Sequence, residues 1–361
     1  MVKKVGIGII GTGFARRVQI PGFLACRDAA VVSVASGSLE NAKAAAGQFG
    51  IEHFTSEWRE TVAREDVDLV CITTPPNLHR EMTLAAAAHG KHILCEKPMA
   101  MNVDEAEEML SAAKEAGVLA LIDHELRFQP GRQRAFAMLR EGAIGKIRHA
   151  KYLFQASYRA NASLPWTWWS DIEQGGGALG AINSHVVDSL RWFLGAEVSS
   201  VFCQLQTQVK RRPYDGGFRE VTTDDEANIL LRFENGELTD DATGIVSVSM
   251  VEGPVHRNCV EFHGTEGAIR VEDAGELFIA KTGDENWQPV DVETVSVADG
   301  MPDTGFPRGF MSFAPKIVDA IANGESSVDG AATFEDGVAI QKVLDAARLS
   351  DNEGRRVELS Y

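Results

Sequence analysis

The sequence is poor in cysteine and has no cysteine pattern suited to a metal or a disulfide framework. Its five cysteines are odd in number and widely spaced, and no two of them form a Cys-x-x-Cys pair. This argues against a zinc knuckle and against a small disulfide-linked fold. No other residue set has convincing metal-ligand spacing, so no bound metal is predicted.

Long apolar runs and an excess of positive charge are also missing. No run approaches the roughly 20 apolar residues of a membrane helix, and the start of the chain has no signal-peptide pattern, which favours a cytoplasmic protein. The 52 acidic and 35 basic residues give a net charge of −17. Because an acidic surface repels polyanions, neither nucleic acid nor an anionic membrane is an expected partner.

The first part of the chain alternates short β-branched runs with helix-forming segments. This rhythm predicts repeated βαβ units and an α/β Rossmann domain with a doubly wound parallel sheet at residues 1–125. The predicted strands are Lys4–Ile10, Ala30–Ala35, Ile51–Phe54, Asp68–Ile72, His92–Cys95 and Val118–Ile122, and the helices are Glu40–Phe49, Leu78–His89 and Val103–Ala116.

After residue 125 the rhythm changes to consecutive strands without intervening helices. We predict a second domain at 126–361, of α+β class, with a largely antiparallel sheet. Its strands are Lys146–Tyr158, Val198–Val209, Ala227–Phe233, Gly244–Met250, Val255–His263, Ala268–Val271 and Leu277–Ala280, and its helices are Gly131–Arg140, Ala178–Leu194, Gly309–Ala322 and Phe334–Leu349.

A glycine-rich turn follows the first strand. Glycine suits this position because the backbone turns tightly and a diphosphate approaches it closely, while the helix that follows offers free N–H groups. The turn therefore predicts a dinucleotide site. Its residues are Gly11, Thr12, Gly13, Phe14 and Ala15.

The tip of the second predicted strand bears on the choice between the two nicotinamide dinucleotides. A carboxylate here would hold the 2′-hydroxyl of NAD. The tip instead carries Ser36 and Ser38, with no acidic residue before Glu40. Hydroxyls without a carboxylate tolerate a 2′-phosphate, so the cofactor prediction is NAD(P), leaning to NADP.

A lysine stands at the carboxyl end of a predicted central strand. Lys97 follows Glu96 and precedes Pro98, and ligands of such sheets bind in the crevice at this edge. Partial desolvation would let Lys97 exchange a proton with a substrate hydroxyl. The alternative is an ordinary solvated lysine.

A histidine follows three consecutive glycines. Gly175–Gly177 allow close approach of the backbone to a ligand, and His185 and Asp188 share one helical face. His185 can act as an acid or base near neutral pH, or it can be a structural histidine in the core. Upstream, Trp168 belongs to a tryptophan cluster suited either to a sugar ring or to subunit packing.

Several of these elements occur in an order typical of one known family. The glycine turn is followed by Thr74-Pro75-Pro76-Asn77-Leu78-His79, by Glu96-Lys97-Pro98, by Arg127-Phe128-Gln129-Pro130, and by the glycine–histidine segment. Over essentially the whole chain the sequence resembles the Gfo/Idh/MocA family, named for glucose–fructose oxidoreductase, inositol dehydrogenase and a rhizopine-catabolism protein.

The resemblance implies an oxidoreductase that uses NAD or NADP on a sugar, polyol or related hydroxy compound. It also implies that the sheet of the second domain is open and that this domain binds substrate and joins subunits into a homodimer or homotetramer. Lys97 would be catalytic, with His185 beside the reacting hydroxyl. The residues implied to line the dinucleotide are Thr73, Thr74, Pro75, Asn77, His79, Glu96 and Lys97.

The sequence departs from the family pattern near the histidine. An aspartate common four residues before it is Ala181, and a glycine common two before it is Asn183. Three alternatives follow: Lys97 and His185 suffice, or another residue assists them, or the reaction is not a simple alcohol oxidation. The candidates for assistance are Asp171, Glu173 and Tyr158. The substrate-side candidates are Arg127, Tyr158, Trp168, Asp171, Asn183 and Asp188.

The leading prediction is an NAD(P)-dependent dehydrogenase or reductase acting on CH–OH groups. Two alternatives remain. One is an enzyme that cleaves glycosidic bonds through transient oxidation. The other is a non-catalytic dinucleotide-binding regulator, an idea that Ala181 supports and that Lys97 and His185 oppose.

Overall fold

The computed structural model describes residues 4–361, which form two compact units. The first contains the chain up to Gln129 together with Val295–Val338, and the second contains Pro130–Thr294 together with Ala339–Tyr361. This grouping differs from the predicted division at residues 125 and 126, because a late segment of the chain belongs to the first unit. Each unit is described by itself.

The described residues contain ten α-helices. They are α1 (Phe14–Arg17), α2 (Gln19–Leu24), α3 (Leu39–Phe49), α4 (Trp58–Ala63), α5 (His79–Ala88), α6 (Val103–Ala116), α7 (Pro130–Arg140), α8 (Ser184–Leu194), α9 (Gly305–Asn323) and α10 (Phe334–Glu353). No helix within residues 4–361 has the length and apolar character needed to cross a membrane.

The first unit is built on a six-stranded parallel sheet. The strand order is β3-β2-β1-β4-β5-β6, and every pair is parallel, which confirms the Rossmann-type prediction. The strands are β1 (Val5–Ile10), β2 (Ala29–Ala35), β3 (His53–Thr55), β4 (Leu69–Ile72), β5 (His92–Cys95) and β6 (Ala120–Ile122).

Helix α9 belongs to the first unit because its apolar side packs into the core of that unit. The ring of Phe310 meets Phe23 edge-on at 5.2 Å, and Phe313 stacks on Phe128 at 4.3 Å. All four rings are buried. An amphipathic helix pattern gives no sign of which core it will cover, so sequence order alone placed this helix in the second domain.

The second unit contains a nine-stranded sheet, in the order β16-β15-β14-β13-β7-β12-β11-β8-β17. Strands β7 and β12 run parallel and every other pair is antiparallel, which confirms the largely antiparallel prediction. The strands are β7 (Ile147–Gln155), β8 (Val198–Gln206), β11 (Glu226–Phe233), β12 (Thr239–Ser249), β13 (Arg257–Gly264), β14 (Gly267–Val271), β15 (Leu277–Lys281), β16 (Gln288–Val290) and β17 (Val357–Glu358).

A separate two-stranded hairpin was not predicted. It consists of β9 (Arg211–Tyr214) and β10 (Gly217–Glu220). The side chains of β10 are all exposed and only one residue of β9 is fully buried. The hairpin therefore lacks the alternation of apolar and polar residues that reveals a strand in a sequence.

Candidate active site

The candidate site of the first unit lies at the carboxyl edge of its parallel sheet. The loops after β1, β2, β4, β5 and β6 all leave the sheet at this edge. Strands β1 and β4 are neighbours at the centre of the sheet. After β1 the strand order continues towards one edge (β2, β3), and after β4 it continues towards the other (β5, β6). A crevice at such a reversal point is where open α/β sheets bind their ligands.

The two glycines of the opening turn have different surroundings. Gly11 has φ +103°, and a Cβ added to it would lie 2.5 Å from the Thr73 carbonyl oxygen. Gly13 is open: no atom of residues 4–361 beyond its chain neighbours would lie within 4 Å of an added Cβ. Helix α1 begins directly after it, at Phe14, and is four residues long. The turn thus leaves room for a diphosphate beside Gly13, and its residues fit a dinucleotide.

The tip of β2 lies beside this turn. The Thr12 hydroxyl donates to the Ser36 hydroxyl over 3.5 Å. The Ser38 hydroxyl accepts from the Asn41 backbone N–H at 3.3 Å and caps α3. Ser38 therefore has a structural role, and its hydroxyl hydrogen remains available to a ligand.

The loop after β4 is tied to both neighbouring loops. The Thr73 hydroxyl donates to the Gly11 carbonyl at 2.8 Å. His79 is fully buried, with one ring nitrogen 2.9 Å from the Thr74 carbonyl and the other 3.1 Å from the Pro98 carbonyl. Burial lowers the pKa of His79. This histidine holds the loops after β4 and β5 together, whereas Asn77 is exposed.

Lys97 follows β5 at the same edge. Its side chain is 18% exposed, and its Nζ lies 3.9 Å from Glu96 Oε2. Burial raises the pKa of Glu96, and the adjacent Lys97 cation partly opposes that shift. The pair thus places a partly desolvated cation beside a buried carboxyl group, an arrangement suited to proton exchange.

Three buried polar residues near Lys97 were missed in the sequence analysis. Gln19, Asp123 and Glu125 are each at most 1% exposed. The Gln19 side-chain amide donates to Asp123 Oδ2 at 2.7 Å and to Glu96 Oε1 at 3.1 Å. Asp123 directly follows β6, as Glu96 follows β5, and that position at a strand end is the signal that could have revealed it.

In the second unit, the predicted histidine lies on a buried helix. His185 and Asp188 are 2% and 1% exposed and belong to the first turns of α8. A π-helical turn, Leu179–Asn183, precedes α8; such turns are frequent at functional sites. The Asn183 side-chain amide donates to the Ala178 carbonyl at 3.4 Å.

Two of the three glycines before this turn lie close to other protein atoms. A Cβ on Gly176 would lie 2.5 Å from the Trp168 carbonyl oxygen. Gly177 has φ +104°, and its Cβ would lie 2.5 Å from Asp224 Oδ1. The other Asp224 oxygen accepts from the Leu179 N–H at 2.6 Å. We expected these glycines to let a ligand approach the backbone closely. At Gly176 and Gly177 the space is instead occupied by other protein atoms.

The remaining substrate candidates are distributed over both units. In the second unit, Asp171 caps a short 3₁₀ turn through the Glu173 N–H at 3.2 Å, and Trp168 packs on Trp169 with ring centres 5.5 Å apart. Tyr158 is 57% exposed and stacks on His256. In the first unit, buried Arg127 lies 3.3 Å from Asp336.

Comparison with known proteins assigns the chain to a family. A model of the oxidoreductase family with an NAD-binding Rossmann fold matches residues 5–124, and a model of the GFO/IDH/MocA C-terminal domain matches residues 133–270. The chain belongs to the Gfo/Idh/MocA family. This confirms the predicted family, and with it the prediction of an oxidoreductase.

Individual relatives cover most of the chain. Levoglucosan dehydrogenase from Pseudarthrobacter phenanthrenivorans is 33% identical over 311 residues, 79% of this chain and 78% of that protein. The 1,5-anhydro-D-fructose reductase of Ensifer adhaerens is 32% identical over 73% of this chain and 74% of its own. A solved structure of levoglucosan dehydrogenase with NADH and levoglucosan has a TM-score of 0.88 and 29% identity, covering 99% of this chain and 100% of that one.

Proposed function

We propose that this family member is an NAD-dependent dehydrogenase or reductase acting on a hydroxyl or carbonyl group of a sugar or sugar derivative. The observation that carries the proposal is the carboxyl edge of the parallel sheet, where Gly13 leaves space beside the opening turn and Lys97 follows β5. Relatives named for levoglucosan and anhydrofructose support a carbohydrate substrate.

The proposed dinucleotide site extends along this edge. The diphosphate would lie at the opening turn and the adenosine ribose at Ser36 and Ser38. The nicotinamide would lie toward Glu96 and Lys97. When bound, the cofactor supplies a hydride acceptor or donor. Further lining residues would be Thr12, Phe14, Ala15, Thr73, Thr74, Pro75 and Asn77, with His79 holding their loops.

We extend the cofactor proposal to NADP on one ground. The tip of β2 presents the hydroxyls of Ser36 and Ser38 and no carboxylate, so it has no group that would repel a 2′-phosphate. Comparing kcat/KM with NAD⁺ and NADP⁺ tests this. At least equal use of NADP⁺ supports the extension, and exclusive use of NAD⁺ contradicts it.

In the proposed mechanism Lys97 exchanges the hydroxyl proton. Its ammonium form also stabilises negative charge on that oxygen, because the side chain is held in a largely dry environment next to Glu96. For His185 the support is the family resemblance: it would hydrogen-bond the same oxygen. Substrate contacts are proposed for Arg127, Tyr158, Trp168, Asp171, Asn183 and Asp188.

The experiment is to follow nicotinamide reduction across a panel of sugars, anhydrosugars and polyols. Wild type should turn over at least one member, and Lys97→Ala should lower kcat by about 10²-fold or more. The matched control is Lys114→Ala, because Lys114 is an exposed lysine paired with Glu335. Undiminished turnover in Lys97→Ala, or tight dinucleotide binding with no turnover on any compound, contradicts the proposal.

We further propose a cytoplasmic homodimer or homotetramer. All five cysteines are free thiols, as a reducing compartment requires. Phe202, Leu230 and Ile245 are cross-strand neighbours on β8, β11 and β12, and each is 39–53% exposed. Such a row is a candidate subunit contact. Light scattering should show a dimer or tetramer that Leu230→Lys dissociates; a monomeric wild type contradicts this.

A further inference from the structure

A buried polar cluster lies next to Lys97. It consists of Glu96, Asp123, Glu125 and Gln19, and none of the four is more than 7% exposed. A single side-chain amide, Gln19 Nε2, donates to Glu96 at 3.1 Å and to Asp123 at 2.7 Å. Because one nitrogen reaches both carboxyl groups, those groups are held close to each other.

The cluster cannot carry three negative charges. An isolated buried carboxylate is costly unless it is paired and hydrogen-bonded. Neither side-chain oxygen of Glu125 has a close hydrogen-bond partner among residues 4–361, and burial raises the pKa of Glu125 well above its usual range. Both observations favour a neutral Glu125. Two like charges as close as Glu96 and Asp123 cannot both ionise either, so one proton belongs to that pair.

The groups around the pair indicate where the proton lies. Burial and the neighbouring Glu96 charge raise the pKa of Asp123 well above its usual range, whereas Lys97 holds down the rise at Glu96. Because Lys97 Nζ lies 3.9 Å from Glu96 Oε2, we place the negative charge on Glu96 and the proton on Asp123. Lys97 is the cation that acts on Glu96, Asp123 and Glu125 alike.

Burial disfavours charge on three other titratable groups near the pair. It raises the pKa of the Cys71 and Cys95 thiols well above 9 and lowers that of His79. Among these groups, Lys97 carries the positive charge that faces the pair formed by Glu96 and Asp123.

We propose that this pair is the internal proton acceptor of the reaction: Asp123 holds one proton, and Glu96 takes the second from Lys97. The inference rests on the proposed function of Lys97. In oxidation an Nζ–H bond of the Lys97 ammonium group breaks as its proton joins Glu96 Oε2, 3.9 Å away. The neutral amine then takes the hydroxyl proton, so the substrate O–H bond breaks as an Nζ–H bond forms and Lys97 is an ammonium group again.

A bound nicotinamide dinucleotide would supply the two-electron oxidant for the substrate C–H bond, so the carbonyl product would be neutral. The pair then holds two protons, one of which returns to solvent after product release. In reduction every step runs in reverse. Asp123 and Gln19 act through Glu96 and are positioning residues.

The proposal predicts that two matched amide substitutions differ. Asp123→Asn imitates the protonated carboxyl group and keeps the contact with Gln19, so it should lower kcat at least about tenfold less than Glu96→Gln does. Glu96→Gln removes the acceptor, and kcat should fall about 10²-fold, the usual scale of one acid–base step. Asp123→Leu, which cannot hydrogen-bond, should lose activity that Asp123→Asn retains.

A second readout needs neither cofactor nor substrate. Infrared spectra of the cofactor-free protein at neutral pH should contain a protonated carboxyl C=O band that Asp123→Asn lowers. If Asp123→Asn fails to fold, Glu125→Gln takes its place: with the neutral Glu125 removed, a protonated carboxyl band should still persist as the pH is raised through neutrality. Its absence at neutral pH overturns the proposal.

The outcomes separate this inference from the function on which it rests. Unchanged turnover in Lys97→Ala contradicts the proposed function. Impaired Lys97→Ala together with equal losses in Asp123→Asn and Glu96→Gln contradicts only the proton-sharing pair. In single-turnover experiments with a pH-indicator dye, proton release should lag behind nicotinamide reduction in wild type; simultaneous release would also overturn the proposal.

Discussion

Two glycine-rich segments look alike in sequence and differ in structure. Gly11–Gly13 follows the first strand of one unit, and Gly175–Gly177 precedes the π-helical turn and α8 in the other. Gly13 has open space where a side chain would begin, whereas Gly176 and Gly177 are in close contact with carbonyl and carboxylate oxygens. A glycine motif therefore marks either room for a ligand or close packing of the protein on itself.

This difference between open and closely packed glycines predicts which substitutions affect ligand binding and which affect the stability of the fold. A substitution at an open glycine costs little folding energy and obstructs whatever binds there. A substitution at a filled glycine forces backbone and neighbours apart, so it destabilises the fold. The following predictions test this contrast, from the largest effect to the smallest.

Gly177→Ala should destabilise the second unit by about 3–4 kcal/mol. The residue has φ +104°, and the new Cβ would lie 2.5 Å from Asp224 Oδ1, which combines backbone strain with a steric clash. Gly354→Ala is the matched control, because Gly354 has φ +62° with no described atom within 4 Å of its Cβ position. That control should lose about 1 kcal/mol. Equal losses in urea denaturation would contradict the packing role of Gly177.

Asp224, which fills the space beside Gly177, should make stability depend on pH. Burial raises the pKa of Asp224 to about 6, against about 3.9 in an unfolded chain. The folded state therefore binds the proton more tightly, so the free energy of unfolding should fall as the pH rises from about 4 to about 6 and then level off. The expected decrease is roughly 2–3 kcal/mol.

Asp224→Asn should remove that slope, because an amide does not titrate and still accepts from the Leu179 N–H. The exposed Asp240→Asn variant is the control and should keep it. Denaturant midpoints measured across this pH range decide the matter. A slope that survives in Asp224→Asn would show that another group causes it.

Gly13→Ala should have the smallest effect on the fold and a selective effect on binding. The added methyl group meets no described atom, so Tm should remain within about 2 °C of wild type. It would nevertheless intrude where the diphosphate is proposed to lie, and the Kd for NADH should rise about tenfold or more, or about 1.4 kcal/mol. Unchanged NADH affinity would place the diphosphate elsewhere.

The sequence allowed the first sheet to be predicted because its strands are short, almost wholly buried apolar runs. In β1 and β4, for example, every residue is buried, and such runs separated by helix formers indicate a parallel sheet. The unit to which α9 belongs could not be predicted, because its apolar face with Phe310 and Phe313 could pack on either core. Hairpin β9–β10 carries too little buried apolar surface to be recognised.

At the candidate site, the sequence predicted the residues that belong to a recurring motif. It did not predict the polar residues whose role depends on their being buried. Lys97 and Gly13 follow strands in a recognisable pattern. Asp123 and Glu125 belong to a polar stretch after β6 that is typical of a solvated loop, yet both are buried. The need for partners in the core becomes visible only when the fold brings Gln19 and Glu96 beside them.

The most direct test of the whole account is a crystal structure of the protein grown with NADH. We expect electron density for the diphosphate next to Gly13 at the opening turn, with the nicotinamide ring next to the Lys97 ammonium group. A dinucleotide bound elsewhere, or none at saturating concentration, would contradict it.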